Sequence, residues 1–150
     1  MPTTRPVEIL LVEDSLEDVR LTLRALRRVL VSDAVEVVRD GAEALEFLFC
    51  EGIYTERFAQ PKPNLVLLDL KLPKVDGLEV LRRVKGDART SSIPVVMFTS
   101  SREQQDVIRS YALGVNSFVV KPVDFENFQG AVEKVGNYWL RLNHSPEVRE

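Results

Sequence analysis

Residues 65–77 read LVLLDLKLPKVDG. The stretch opens with Leu65, Val66, Leu67 and Leu68 and then stops at a carboxylate, Asp69. A short apolar run with no polar break is the pattern of a strand buried on both faces. Pro73, Asp76 and Gly77 then mark a turn, and GLEVLRRVK (77–85) has the three-four spacing of a helix. Asp69 needs a reason, because a carboxylate is costly to bury unless it is paired or bound. It either starts a turn or faces a site, and the rest of the chain has to decide.

The same unit recurs along the sequence. VEILLV (7–12), AVEVVR (34–39), NLVLLD (64–69), IPVVMFT (93–99) and NSFVV (116–120) are short apolar runs, and each precedes a stretch of helical spacing. After the first run, Leu16, Val19, Leu23, Leu26 and Leu30 share one helix face, and Ser15 with Asp18 forms its capping start. The last stretch aligns Phe125, Phe128, Val132, Val135, Trp139 and Leu142. Five strand–helix units predict an α/β fold, a five-stranded parallel sheet doubly wound by helices on both faces. The connection CEGIYTERFAQPKPN (50–64) is long for such a fold, where about 2–6 residues are usual. It is either an added functional surface or a mobile insertion. The expected organisation is one domain over 1–150, with a core at 7–140 and a frayed tail at 143–150.

Composition narrows the function. The 23 acidic residues outnumber the 20 lysines and arginines, and the net charge is -3. That balance, with no basic cluster beyond ordinary helix faces, argues against nucleic acid as a partner. The single cysteine, Cys50, allows no internal disulfide and suits a reducing cytoplasm. The single histidine, His144, lies in a polar stretch, which argues against a zinc site or a histidine-based triad. No run approaches the ~18 apolar residues of a membrane span. The N-terminus does not resemble a signal peptide. A cytoplasmic protein is therefore expected.

Ligands of open α/β sheets bind outside the carboxyl ends of the strands. Those ends carry Glu13 and Asp14, Asp69, Thr99 and Ser100, and Lys121 and Pro122. Parallel strands bring all of them to one edge. Three carboxylates held together repel one another unless a cation joins them. All-oxygen donors select a hard ion, Mg²⁺ or Mn²⁺, and Mg²⁺ commonly keeps waters and phosphate oxygens as further ligands. Such a site suits a phosphorylated ligand, with Lys121 supplying charge and Thr99 a hydrogen bond. Carboxylates can also act as nucleophiles and form aspartyl-phosphate. Asp69, on the central strand, is the expected nucleophile, and Glu13 and Asp14 are left to hold the metal. Each residue also has a plainer reading: a turn-forming Asp69, a solvated Glu13–Asp14 turn, a helix-capping Thr99, a loop Lys121. Their conjunction on one edge favours the site.

The set LLVEDS, LVLLDLKLPKVDG, VVMFTSS and FVVKPVD resembles the receiver domain of bacterial two-component response regulators, over about residues 7–140. The resemblance implies a flavodoxin-like (βα)5 fold with strand order 2-1-3-4-5. It also implies that Asp69 is the phosphoacceptor, charged from a phosphohistidine on a sensor histidine kinase. Glu13 and Asp14 become the acidic metal pair, and Lys71 gives the metal its backbone carbonyl. Thr99 and Lys121 become the pair that reads the phosphoryl group. Phe118 occupies the aromatic switch position, and its plainer reading is a core phenylalanine. The long insertion and the final helix ending NYWLRLN resemble the stand-alone regulators paired with bacterial and cyanobacterial phytochrome histidine kinases.

On this reading the chain is a phosphorylation switch and not an enzyme. Its signal leaves through a changed protein-binding surface or through further phosphotransfer in a phosphorelay. A Mg²⁺-dependent phosphatase-like hydrolase is the competing class. Those enzymes usually place a second acid two residues after the nucleophile, where this chain has Lys71. The apolar stripe of the last helix is longer than one sheet can cover, with Trp139 and Leu142 expected uncovered and Tyr138 and Leu140 beside them. That predicts a homodimer through the last helix, the plainer reading being that the helix end folds back over its own domain.

Overall fold

The computed structural model describes residues 5–30 and 34–146. The strands are β1 (Ile9–Val12), β2 (Val35–Val38), β3 (Leu65–Leu68), β4 (Val95–Thr99) and β5 (Ser117–Val120). The helices are α1 (Leu16–Leu26), α2 (Gly41–Leu48), α3 (Gly77–Lys85), α4 (Gln104–Ala112) and α5 (Phe125–Asn137). A 3-10 segment, Gly52–Ala59, follows α2, and one π turn, Tyr138–Leu142, extends α5. The strands form one parallel sheet in the order β2-β1-β3-β4-β5. Both the doubly wound fold and the expected strand order are thus observed.

Burial explains the order. All residues of β1, β3 and β4 are buried, which their unbroken apolar runs require, while β2 and β5 are only partly covered and form the edges. Alternate residues point to opposite faces. Leu10, Val12, Val66, Leu68 and Met97 pack with α2 and α3 residues such as Leu48, Val80 and Leu81. Ile9, Leu11, Leu65, Leu67 and Phe98 pack with Val19 and Leu26 of α1 and Phe128 and Val132 of α5. Four helices begin on a side-chain cap: Ser15, Asp40, Asp76 and Asp124 accept from the backbone N–H three residues on.

Three expectations are refined by the structure. Helix α1 stops at Leu26, not at Leu30; Leu30 still packs on the core, while Leu16, at the start of the stripe, is half exposed. The helix ends as its bonds tighten to three-residue spacing, Arg28 N–H donating to the Ala25 carbonyl and Val29 N–H to the Leu26 carbonyl.

The segment 50–64, expected as either an added surface or a mobile insertion, is anchored to the domain. Tyr54 is buried, its hydroxyl donates to Glu43 Oε2 at 2.7 Å, and its ring meets Phe47 edge-on at 5.0 Å. Buried Arg57 lies 4.5 Å over the Phe47 ring and donates to the Arg5 carbonyl at 2.8 Å. Lys62 Nζ donates to the Leu48 carbonyl at 2.7 Å, covering the end of α2. This anchored segment leaves Ile53 and Phe58 exposed.

Finally, Trp139 is not left uncovered. Trp139 and Leu140 pack against the α1-side core, and Arg141 donates to the Val29 carbonyl. The end of the stripe folds over its own domain, and Tyr138 and Leu142 remain exposed. The expected tail at 143–150 is described only to residue 146; its remainder lies outside the described residues.

Candidate functional site

The register of the sheet builds the site. Val12 of β1 pairs with Leu68 of β3, so Glu13 and Asp69 leave the two central strands side by side. Asp69 N–H donates to the Val12 carbonyl at 3.0 Å, which fixes that alignment one residue beyond the strands. Carboxylate oxygens of Glu13, Asp14 and Asp69 all lie within 4.8 Å of one another. Glu13 is buried, Asp69 is partly buried, and Asp14 is exposed at the mouth.

Lys121 enters from the end of β5. Its Nζ is 2.6 Å from Glu13 Oε1, 2.7 Å from Asp18 Oδ2 and 3.3 Å from Asp69 Oδ2. Its backbone N–H donates to the Thr99 carbonyl at 2.7 Å. Thr99 is buried at the end of β4, and its Oγ1 accepts from the Ser101 N–H at 3.4 Å. The structure therefore brings Glu13, Asp14, Asp69, Thr99 and Lys121 to one sheet edge. Lys71 lies two residues after Asp69 with its side chain exposed. Phe118 is half-buried on β5 beside Met97 and packs against the α2–α3 side of the core, below the edge and not in it.

The pocket is electrostatically unbalanced. Burial pushes the Glu13 carboxyl up to about 7; the Lys121 hydrogen bond opposes this, and the charge of Asp69 adds to it. Burial by itself would lower the Lys121 ammonium, but its ion pairs with Asp18 and Glu13 and the charge of Asp69 outweigh that and hold it above its ordinary range. One ammonium thus serves Glu13, Asp18 and Asp69, with Asp14 adding further negative charge. All-oxygen donors with excess negative charge and an open side at Asp14 fit a hard divalent cation. Bound there, the cation would favour the charged form of Glu13 against the burial and the Asp69 charge that push it toward its neutral form.

The loop after Asp69 is held closely. A Cβ on Gly77 would come within 2.2 Å of the Asp69 carbonyl oxygen, so only glycine lets the start of α3 approach the strand end. A Cβ on Gly41 would meet the Val75 carbonyl oxygen at 1.8 Å. Asp40, beside it, pairs with Lys74 at 3.5 Å, which ties the loop to the start of α2.

Two site residues lie outside the set taken from the ends of the first, third, fourth and fifth strands. Asp18 was legible only as the capping partner of Ser15. Its backbone N–H does donate to Ser15 Oγ at 3.3 Å, while its carboxylate reaches Lys121. Arg39 ends β2 on the same edge and donates to the Asp14 carbonyl at 2.8 Å. Reading the end of the second strand as well as the other four finds it.

A carboxylate between a metal-holding acid pair and a buried ammonium, at the point where a doubly wound sheet reverses direction, defines a class of phosphoryl-accepting signalling modules. The response regulator receiver domain model matches residues 9–133, and the chain belongs to that family. The chain is 43% identical to the probable methanogenesis regulatory protein FilR2 of Methanothrix harundinacea, over 94% of this chain and 88% of that one. It is 41% identical to response regulator Rcp1 of Synechocystis sp., over 90% of each chain. The crystal structure of Mn²⁺-bound Rcp1 superposes with a TM-score of 0.87 at 39% identity, covering 95% of this chain and all of that one. That of the phosphorylated cyanobacterial phytochrome response regulator RcpA gives 0.85 at 38%, covering 95% and 100%. The chain is a receiver domain of the two-component type, with a divalent-cation pocket at its acidic edge. No described helix is long and apolar enough to cross a membrane.

Proposed function

We propose that Asp69 is the phosphoacceptor and that the chain is a phosphorylation switch served by a phytochrome-type sensor histidine kinase. The observation that carries this is the place of Asp69: its carboxylate joins the Glu13–Asp14 cluster on one side and lies 3.3 Å from Lys121 Nζ on the other. An Asp69 oxygen attacks phosphorus, the P–N bond to the kinase histidine breaks, and the protonated imidazole leaves as the neutral ring. Glu13, Asp14, Asp69 and the Lys71 carbonyl would hold a divalent cation, which would supply charge neutralisation. Thr99 and Lys121 then contact the new phosphoryl oxygens. As Thr99 moves with its loop, Phe118, half-buried on the neighbouring strand, repacks and changes the face formed by α4, β5 and α5.

Exposed Leu16, Val123 and Phe125 stand at the starts of α1 and α5, on the same edge as Asp69. They offer an apolar rim for a docking kinase around a polar centre. The likeness to RcpA supports a phytochrome-type kinase; the likeness to FilR2 is the rival guide to the partner. The chain acts in the cytoplasm, binds no nucleic acid and turns over no free substrate. Exposed Tyr138 and Leu142, at the end of α5, support a homodimer there. The test is transfer of label from an autophosphorylated phytochrome-type kinase. It should reach the wild type and not Asp69→Asn, and transfer from an unrelated kinase at the same rate would contradict the partner.

A further inference from the structure

Lys121 Nζ lies closer to Asp18, at 2.7 Å, than to Asp69, at 3.3 Å. An ammonium has three N–H donors. Glu13, Asp18 and Asp69 take all of them. Lys121 cannot bind a phosphoryl oxygen without letting one carboxylate go. The three are not equally easy to release. Glu13 is buried, its second oxygen accepts from the Ser15 N–H at 3.1 Å, and it belongs to the metal cluster. Asp69 is the group that carries the phosphoryl. Asp18 is 25% exposed, lies outside the metal cluster and sits in the first turn of α1, where the helix dipole stabilises its charge without Lys121. Water can replace Lys121 at Asp18 at little cost.

We infer that Asp18 is a positioning residue that holds the Lys121 ammonium in the unphosphorylated protein and releases it to the phosphoryl group. Asp18 thereby competes with the phosphoryl group for Lys121 and sets how strongly the phosphorylated state is favoured. Its role as a helix residue is separate, because the cap uses its backbone N–H and the hold uses its carboxylate. The inference rests on Asp69 as the phosphoacceptor.

Beryllofluoride, a phosphoryl mimic, tests it by titration at saturating Mg²⁺ with fluorine NMR as the readout. Asp18→Asn should bind beryllofluoride roughly fivefold more tightly than the wild type, the scale of one partly exposed ion pair. Glu17→Gln removes the same charge from the same exposed helix turn and should leave the affinity unchanged, and Asp18→Glu should return it toward the wild type. Equal affinity for Asp18→Asn and the wild type, or equal tightening by Glu17→Gln, overturns the inference. Binding that survives in Asp69→Asn overturns the phosphoacceptor reading instead. A crystal structure of the wild type with Mg²⁺ and beryllofluoride gives an answer even if Asp18→Asn does not fold. Lys121 should contact fluoride and lie beyond hydrogen-bond distance of Asp18, and an intact Lys121–Asp18 pair in that complex overturns the inference.

Discussion

Replacing Lys121 by methionine should make the stability of this domain depend on a divalent cation. The Lys121 side chain is 6% exposed and its ammonium is shared by Glu13, Asp18 and Asp69. Removing one partner of a buried ion pair typically costs about 3–5 kcal/mol, because the remaining charge stays buried and unpaired. Two features of the pocket reduce that figure. Glu13 already titrates at about 7 and can take up a proton, and Asp18 is 25% exposed and can rehydrate. The expected loss is therefore at the low end, about 3 kcal/mol in EDTA at neutral pH. Mg²⁺ offsets part of the pocket's excess negative charge and no longer competes with an ammonium. At about 100 times its dissociation constant it should return roughly 2.7 kcal/mol. Urea denaturation of Lys121→Met and the wild type, each in EDTA and in Mg²⁺, measures both quantities. The gap between the two proteins should be large in EDTA and should narrow in Mg²⁺. Equal stability in EDTA, or an equal gain from Mg²⁺ in both proteins, would refute the electrostatic account of the pocket.

Further outcomes follow from other parts of the fold. Tyr54→Ala should destabilise by about 3 kcal/mol and expose 50–64 to limited proteolysis, whereas Tyr54→Phe, which loses only the bond to Glu43, should cost about 1 kcal/mol and leave the segment protected. Wild type should sediment as a dimer at tens of micromolar, on the order of ordinary assay concentrations, and Leu142→Arg should sediment as a monomer. Dissociation by Trp139→Ala without dissociation by Leu142→Arg would place the interface elsewhere, since Trp139 packs on its own domain and Leu142 does not. A phytochrome-type kinase should phosphorylate the protein faster than an unrelated one, with competition kinetics as the check.

The sequence was most informative where burial is complete. The unbroken runs of β1, β3 and β4 could only be central strands, and their ends located Glu13, Asp14, Asp69 and Thr99. Less was legible where a residue serves two purposes or where its partner is remote. Asp18 serves the Ser15 cap through its backbone, which accounts for it locally, while its carboxylate meets Lys121 across 103 positions. The anchoring of 50–64 depends on Tyr54 meeting Glu43 and Arg57 meeting Arg5, pairings that no local period reveals. The stripe of α5 correctly marked an apolar face, but periodicity does not say what covers it. Val29 and Leu30 leave α1 in a turn that brings this end of the molecule against the last helix, and Arg141 bonds to Val29 there.

Everything proposed for this domain depends on Asp69 taking the phosphoryl group in a pocket completed by a divalent cation. Incubation with acetyl phosphate, followed by rapid mass mapping of peptides, tests it without a kinase. One phosphoryl group should be added to the peptide containing Asp69, dependent on Mg²⁺ and absent from Asp69→Asn. A phosphoryl group mapped to another residue, or undiminished labelling of Asp69→Asn, would contradict it.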